Sequence, residues 1–264
     1  MSVRISTIHI DSAGRKMRTI LLRSKKQEGK VPGILWIHGG GYSLGMAEMV
    51  LFSCGKTLVD RFGAVVLSPA YTLSGKKGYP AALEDCFAAL RYLDEHREEL
   101  KIDRIIVGGE SAGGGLCAAL CLYARDHSDI RISYQLPLYP MLDCEDTSSS
   151  RDNHGKIWNT KRNHRAWKKY LGDLCHSDQI PPYASVSRAK YLSGMPPCYT
   201  FVCDGEPFYE ETKDYIQRLK DSGVSASMDV YHGDVHAFDM LMPWTKKAKK
   251  AKDRLCEVFE KEIL

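Results

Sequence analysis

The segment 109–113 reads Gly-Glu-Ser-Ala-Gly and places a serine between glycines, an arrangement in which a hydroxyl can serve as a nucleophile. A β-rich run at residues 104–107 precedes the segment, and small residues suited to a helix follow it. A serine in a strained strand-to-helix turn needs neighbours without side chains, because backbone segments must pass close to it. The pattern predicts a nucleophile elbow with Ser111 as the reactive residue and Glu110 as its supporting neighbour.

A second glycine motif, His-Gly-Gly-Gly at residues 38–41, directly follows the apolar run 34–37. Ligands of open α/β sheets bind at the carboxyl ends of the strands, and exposed amides there can stabilise the oxyanion that acyl transfer creates. His38 and Gly39 are expected to shape this loop. A phosphate-binding turn is a minor alternative, since no separate phosphate-loop or dinucleotide signature accompanies the motif. The predicted oxyanion donors are the amides of Gly40, Gly41 and Ala112.

A hydroxyl nucleophile needs a base, and the sequence offers two histidines after its last β-rich run, His232 and His236. His236 is the better candidate, because it lies in a turn-rich segment from which an imidazole can reach the elbow. His232 is expected to be structural. The base in turn needs a carboxylate, and Asp204 and Glu206 both lie where the chain order serine, acid, histidine requires. Either acid could instead cap the helix predicted from about residue 209.

Six short β-rich runs alternate with longer helical patterns along the chain. This alternation predicts a mostly parallel central sheet with helices on both faces, the α/β class. Residues 4–10 and 18–23 flank a turn and predict a leading hairpin. The predicted strands are 34–37, 64–68, 105–108, 133–138, 199–202 and 227–231, and the clearest predicted helices are 81–100, 114–125 and 209–222.

The polar segment at about residues 145–191 interrupts the alternation. It contains Trp158, and the spacing of Trp167 and Tyr170 indicates a helix that faces an apolar surface. A nucleic-acid surface would also use aromatic and basic residues, but a helical cap over the substrate is the preferred interpretation. We therefore expect one domain, residues 1–264, with a cap insertion.

The motifs at 38–41, 109–113 and 236–238 (His-Ala-Phe) stand in the order found in hormone-sensitive-lipase-like esterases, which the chain resembles over most of its length. The resemblance implies an α/β-hydrolase fold with a small helical cap. In that family the acid lies in an Asp-Pro-Leu-x-Asp-Glu-like stretch, and the segment Glu-Pro-Phe-Tyr-Glu-Glu at 206–211 is in register with it. The resemblance therefore favours Glu206 over Asp204. Further similar segments are Tyr-Pro-Ala-Ala at 79–82 with Asp85, residues 167–171, and Met-Pro-Pro at 195–197.

The chain departs from that family in two places. Only 37 residues precede the glycine loop, which leaves room for the hairpin but not for the family's N-terminal helices, so we expect a reduced N-terminal cap and a more open pocket. Residues 71–75 read Tyr-Thr-Leu-Ser-Gly where the family has Tyr-Arg-Leu-Ala-Pro, so Thr72 stands in place of an arginine.

Composition bounds the class of protein. With 264 residues, 44% of them hydrophobic, the chain can bury one large core. The net charge of +4 owes much to lysines in the segment 246–252, which we interpret as the solvated face of a C-terminal helix rather than a nucleic-acid site. The sequence lacks a secretory signal and an apolar run of membrane-spanning length, so a cytoplasmic location is expected. Nine cysteines without a CxxC pair indicate reduced thiols, and Cys175 beside His176 has no second ligand pair, so no metal is expected.

Together these observations predict a serine carboxylesterase that hydrolyses short acyl esters, acetyl to butyryl, through an acyl-enzyme on Ser111. No cofactor is expected, and the partner is a small-molecule ester rather than nucleic acid or membrane. A monomer or a homodimer is compatible with the sequence. The alternatives are a non-catalytic binding protein of the same fold, and an amidase or peptidase using the same residues.

Overall fold

The computed structural model describes residues 2–175 and 177–264; His176, discussed above with Cys175, lies outside the described residues. Eight strands form one sheet in the order β1-β2-β4-β3-β5-β6-β7-β8. The first two strands form an antiparallel hairpin, β2 joins β4 antiparallel, and the strands from β4 to β8 run parallel. The strands are β1 Val3–Ser12, β2 Arg15–Ser24, β3 Val31–Ile37, β4 Val65–Pro69, β5 Ile102–Glu110, β6 Ile132–Leu138, β7 Cys198–Cys203 and β8 Ala226–Tyr231.

Helices cover both faces of this sheet. Residues along β3 alternate between them. Leu35 and Ile37 join the core beneath the helices Ala81–Glu95 and Ala112–His127. Ile34 and Trp36 join the core beneath the helices Cys54–Phe62 and Lys246–Val258. The predicted α/β class is thereby confirmed. The helices are α1 Cys54–Phe62, α2 Ala81–Glu95, α3 Arg97–Leu100, α4 Ala112–His127, α5 Thr160–Leu171, α6 Tyr209–Asp221, α7 Phe238–Leu241 and α8 Lys246–Val258.

Two helical regions differ from the sequence prediction. The stretch between β3 and β4, for which no helix was predicted, contains a 3-10 turn, Ala47–Phe52, followed by α1. The Ser53 side chain caps α1 by accepting a hydrogen bond from the amide of Gly55, 3.0 Å away. The single helix predicted over 81–100 is divided at His96. The carbonyl oxygen of Tyr92 there accepts from the His96 amide at the end of α2 and lies 2.9 Å from His96 Nδ1, so the side chain shares an acceptor with the helix backbone.

Between β6 and β7 the chain leaves the sheet and forms α5 with irregular segments around it. The Asn159 side chain caps α5, and the buried face of the helix includes Trp167 and Tyr170. Tyr170 stacks on Tyr42, which directly follows the glycine loop, with ring centroids 3.9 Å apart. This segment is therefore packed directly on the carboxyl-end loops of the sheet. Within the described residues, no helix combines the length and apolar character needed to cross a membrane.

Hydrogen bonds to Asp85, on α2, hold the β1–β2 hairpin against the rest of the domain. Its buried carboxylate accepts hydrogen bonds from the Ser12 hydroxyl, the Arg15 guanidinium and, at 2.7 Å, the Thr72 amide. Arg15 also donates to the Thr72 hydroxyl at 2.9 Å. A guanidinium from β2 thus lies beside Thr72, the position at which the resembling family carries its own arginine.

Replacing Asp85 with alanine removes the acceptor for three donors in a buried place. We expect Asp85→Ala to lower the free energy of unfolding by about 3 kcal/mol, because donors left without a partner retain their desolvation penalty. Urea denaturation followed by circular dichroism measures this. Asp11→Ala is the matched control: Asp11 pairs with Lys16 on the exposed part of the same hairpin, and its loss should change stability by less than about 0.5 kcal/mol. Equal effects of the two substitutions would contradict the role assigned to Asp85.

Candidate active site

Ser111 lies between β5 and α4 in a strained backbone conformation, with φ 56° and ψ −120°. A non-glycine residue rarely adopts a positive φ, and such strain persists only where the surroundings impose it. The amide of Ser111 donates to the carbonyl oxygen of Leu138, 3.0 Å away. A Cβ on Gly113 would overlap the carbonyl oxygen of Ile37, so the start of α4 can pass beside β3 only with glycine there. The hydroxyl consequently stands at the carboxyl edge of the central strands.

A chain of hydrogen bonds connects Ser111, His236 and Glu206. The Ser111 Oγ lies 2.8 Å from His236 Nε2, and His236 Nδ1 lies 2.9 Å from Glu206 Oε1. With Nδ1–H donating to the carboxylate, Nε2 is free to accept the proton of the Ser111 hydroxyl. All three side chains are buried, at 5%, 4% and 0% exposure respectively.

Burial raises the pKa of the Glu206 carboxyl, and the neighbouring His236 opposes that shift. A second hydrogen bond reaches the carboxylate from the amide of Cys203 at 3.4 Å. Asp204 lies elsewhere: it is directed to the exposed His232 at 3.0 Å and accepts from the amide of Gly233 at 2.9 Å. That amide lowers the pKa of Asp204. Of the two acids singled out in the sequence, the structure brings Glu206 to His236 and leaves Asp204 at the surface.

Aromatic rings fix the imidazole of His236. The rings of Tyr139 and Phe208 meet it edge-on, each with a centroid distance of 5.1 Å. The Tyr139 hydroxyl donates to Asp239 Oδ1 at 2.8 Å, and this carboxyl is fully buried. Burial raises the pKa of Asp239, and the bond from Tyr139 opposes that rise.

Sequence reasoning missed Tyr139 and Asp239. The available signals were their positions: Tyr139 immediately follows β6, at the same edge of the sheet as Ser111, and Asp239 lies three residues after His236. Neither position reveals that the two side chains meet, because they are 100 residues apart along the chain.

The glycine loop lies against the elbow. Gly40 and Gly41 have φ values of 117° and 56°, and a Cβ on Gly40 would overlap the carbonyl oxygen of Leu44. A Cβ on Gly39 would lie 3.2 Å from the Cβ of Ser111. Among the described residues, the amides of Gly40, Gly41 and Ala112 have no hydrogen-bond acceptor. Amides free in this way can bind an anion held on Ser111.

His38 and Glu110 are buried beside this loop. His38 Nδ1–H donates to the carbonyl oxygen of Gly39 at 2.8 Å, and its ring stacks on Tyr71 with centroids 4.2 Å apart. Burial lowers the pKa of His38 to about 4. Glu110 accepts from the indole N–H of Trp36 at 2.7 Å, and burial together with the charge of Asp239 raises its pKa. The hydrogen bonds of His38 and Glu110 thus go to the glycine loop and to β3, respectively.

The thiols of all nine cysteines are free. Within residues 2–175 and 177–264, no group of three His, Cys, Asp or Glu side chains is arranged to hold a metal ion.

The chain is similar in sequence and in structure to known proteins. Residues 34–240 match the family model described as alpha/beta hydrolase fold. Esterase LipI of Mycobacterium tuberculosis is 30% identical over 215 residues, which are 80% of this chain and 67% of LipI. Acetyl esterase of Salmonella paratyphi B is 27% identical over 215 residues, 78% of this chain and 64% of that enzyme. The solved structure of a bacterial heroin esterase superposes with a TM-score of 0.89 at 31% identity, covering 96% of this chain and 82% of the other.

The matched region contains the glycine loop, the elbow and the histidine loop in the order noted from the sequence, and the three similar proteins named above are esterases. The family predicted from these motifs is confirmed. The chain is a carboxylic ester hydrolase of the α/β-hydrolase fold family, in its hormone-sensitive-lipase-like branch.

Proposed function

We propose that this enzyme hydrolyses esters of short acyl groups, acetyl to butyryl, through an acyl-enzyme on Ser111. The observation that carries the proposal is the buried hydrogen-bonded chain from Ser111 through His236 to Glu206. It has the donor and acceptor order that a nucleophile, a general base and an orienting acid require. The short acyl preference draws support from the tight enclosure of the serine, which is 5% exposed, and from the similarity to an acetyl esterase.

In the first half of the proposed reaction, His236 Nε2 takes the proton of Ser111 as Oγ attacks the ester carbonyl carbon. The carbonyl π electrons move to oxygen, and the amides of Gly40, Gly41 and Ala112 donate to that oxyanion. Glu206 stabilises the imidazolium and holds its tautomer. When the intermediate collapses, the bond to the alcohol oxygen breaks and His236 returns its proton to the leaving alcohol.

In the second half, water takes the place of the alcohol. His236 removes a proton from the water, whose oxygen attacks the acyl carbon of the ester on Ser111. The same amides stabilise the second oxyanion, and its collapse releases the carboxylic acid with the proton returned to Ser111 Oγ. The step consumes one water for each ester, and no group beyond these side chains and amides is required.

We further propose that residues 1–264 act as one catalytic domain, with the segment 145–191 as a cap over this site. The support is the packing of α5 on the glycine loop, through Tyr170 and Tyr42. The Ser149 hydroxyl also donates to the carbonyl oxygen of Pro207 at 2.7 Å, directly after Glu206. The oligomeric state, monomer or homodimer, and the cytoplasmic location stay predictions from the sequence.

Removing the Ser111 hydroxyl should abolish turnover. We expect wild type to hydrolyse 4-nitrophenyl esters fastest at acetyl to butyryl length, and Ser111→Ala to lower kcat at least about 10⁴-fold. Release of 4-nitrophenolate across an acetyl-to-dodecanoyl series measures both properties, with circular dichroism as the check on folding. A folded Ser111→Ala protein that retains turnover would refute the acyl-enzyme, and a wild type fastest on dodecanoyl esters would refute the short acyl preference.

The two candidate acids can be separated by amide substitutions of matched size. We expect Glu206→Gln to lower kcat by about 10³- to 10⁴-fold, because an amide cannot stabilise the imidazolium and can favour the wrong tautomer. Asp204→Asn should change kcat less than about threefold, since its partner His232 is exposed. Steady-state rates on 4-nitrophenyl acetate test both. A larger loss in Asp204→Asn would overturn the assignment of Glu206.

His38 is proposed to support the glycine loop as a neutral imidazole. The unfolded chain binds a proton at His38 below about pH 6.5, whereas the folded chain does so only near pH 4. Stability from this site is therefore full above pH 6.5 and is lost as the pH falls toward 4. We expect wild type to lose about 2 kcal/mol more unfolding free energy than His38→Gln between pH 8 and pH 5. Urea titrations at both pH values measure this. His9→Gln is the control variant, because His9 is exposed. Identical pH dependence of the unfolding free energy in His38→Gln and wild type would contradict the neutral state of His38.

A further inference from the structure

Trp158, in the segment between β6 and β7, lies directly on the glycine loop. A Cβ added to Gly41 would overlap the Cη2 atom of its indole and would lie 3.3 Å from the Cβ of Ala166 on α5. The ring therefore occupies the space into which any side chain at position 41 would point. Gly41 is buried as a consequence, although it belongs to a loop at the edge of the sheet.

The same indole faces the other side of the reaction centre. Its centroid lies 6.3 Å from that of His236 and 6.3 Å from that of Phe208, which itself meets the imidazole edge-on. Trp158 thus adjoins both the imidazole and one of the glycines proposed to bind the oxyanion. In the proposed mechanism, an ester attacked by Ser111 places its carbonyl oxygen at this glycine and its alcohol oxygen at the imidazole.

Polar contacts hold the ring in this position. The indole N–H donates to Oδ1 of Asn163 at 3.2 Å, and Asn163 is only 2% exposed on the inner face of α5. The turn preceding Trp158 is attached to the acid loop, because Nδ2 of Asn153 donates to the carbonyl oxygen of Gly205 at 3.1 Å. Gly205 immediately precedes Glu206. The indole is accordingly fixed relative to the hydrogen-bonded chain that it covers.

We propose that Trp158 is a specificity-determining residue that sets the upper size limit of the ester accepted at Ser111. An ester whose carbonyl oxygen meets the Gly41 amide and whose alcohol oxygen meets His236 Nε2 must extend one of its two arms along the indole. Because Ser111 is only 5% exposed, we expect that arm to be surrounded by protein close to the reacting carbon. This inference rests on the proposed function and deepens it by naming the residue that excludes long substrates.

The test compares Trp158→Ala and Trp158→Phe with wild type on two ester series. One series varies the acyl chain of 4-nitrophenyl esters from acetyl to dodecanoyl, and the other varies the alcohol of acetate esters from ethyl to octyl. Trp158→Ala should raise kcat/KM for the longer members relative to the shortest by at least about tenfold in one series, since a single methylene can change discrimination by that factor. Trp158→Phe, which keeps an aromatic ring of smaller size, should fall between. Trp244→Ala is the matched control, because Trp244 is 69% exposed between α7 and α8, and it should keep the wild-type profile.

The proposal is overturned if folded, active Trp158→Ala keeps the wild-type profile in both series. Failure of the underlying function gives a different result: wild type would then turn over no ester of either series. In that case alkyl fluorophosphonates of increasing chain length, which test access to the Ser111 hydroxyl without turnover, provide the readout. Preferential labelling of Trp158→Ala by the long probes supports the size limit, and equal labelling of both proteins refutes it.

A double-mutant cycle checks the contact on which the inference depends. Gly41→Ala should destabilise wild type, because the new methyl group overlaps the indole, and should be tolerated better when Trp158→Ala has already removed the ring. Midpoints of urea unfolding for the two single variants and the double variant give the coupling. A non-additive result supports the placement of Trp158 on Gly41, and strict additivity overturns it.

Discussion

The close passage of two backbone segments at the elbow is the constraint on which the site depends. The start of α4 approaches the end of β3 so tightly that a methyl group at Gly113 would overlap the carbonyl oxygen of Ile37. Because this approach leaves no room for a relaxed turn, Ser111 is held at φ 56°, an arrangement that surrounding structure must impose. The glycine loop, which continues from β3, also passes close to the elbow: a Cβ on Gly39 would lie 3.2 Å from the Cβ of Ser111. These close approaches thus position both the hydroxyl and the amides that face it.

Three buried carboxyl groups around His236 each have a different hydrogen-bond donor. Glu206 is bonded to the imidazole, Asp239 accepts from Tyr139, and Glu110 accepts from Trp36. Burial raises the pKa of all three, so ionisation of each depends on its own donor. Since Asp239 raises the pKa of Glu110 as well, the network beneath the elbow resists accumulating negative charge. In the proposed mechanism this leaves Glu206 as the carboxylate that faces the imidazolium directly, and the aromatic edges of Tyr139 and Phe208 keep water from screening that pair.

The sequence predicted the mostly parallel sheet well because that feature depends on local pattern. Alternation of apolar runs with helical periodicity required no knowledge of long-range contacts, and glycines at turns have a local steric reason. The choice between Glu206 and Asp204 was different: two carboxylates separated by one residue look alike in sequence, and the resemblance alone favoured one. What separates them is that Glu206 turns into the core beside Cys203 while Asp204 accepts from the surface amide of Gly233. Helix α1 escaped prediction because its apolar face is short, and the separation of α3 from α2 depends on a side-chain contact at His96.

The insertion between β6 and β7 shows why a shared fold leaves substrate choice open. Its ends are fixed by the strands, but its interior is attached by side-chain bonds such as that from Asn153 to Gly205, which neither propensity nor periodicity predicts. Through such bonds the insertion and the acid loop become one unit, so a residue in the insertion can be held as firmly as a residue of the sheet. A ring held in this way can exclude a long substrate arm, because the arm could enter only if the contacts that hold the ring were broken. Substrate size in this enzyme is accordingly expected to depend on a small number of polar bonds in a segment that sequence patterns describe least well.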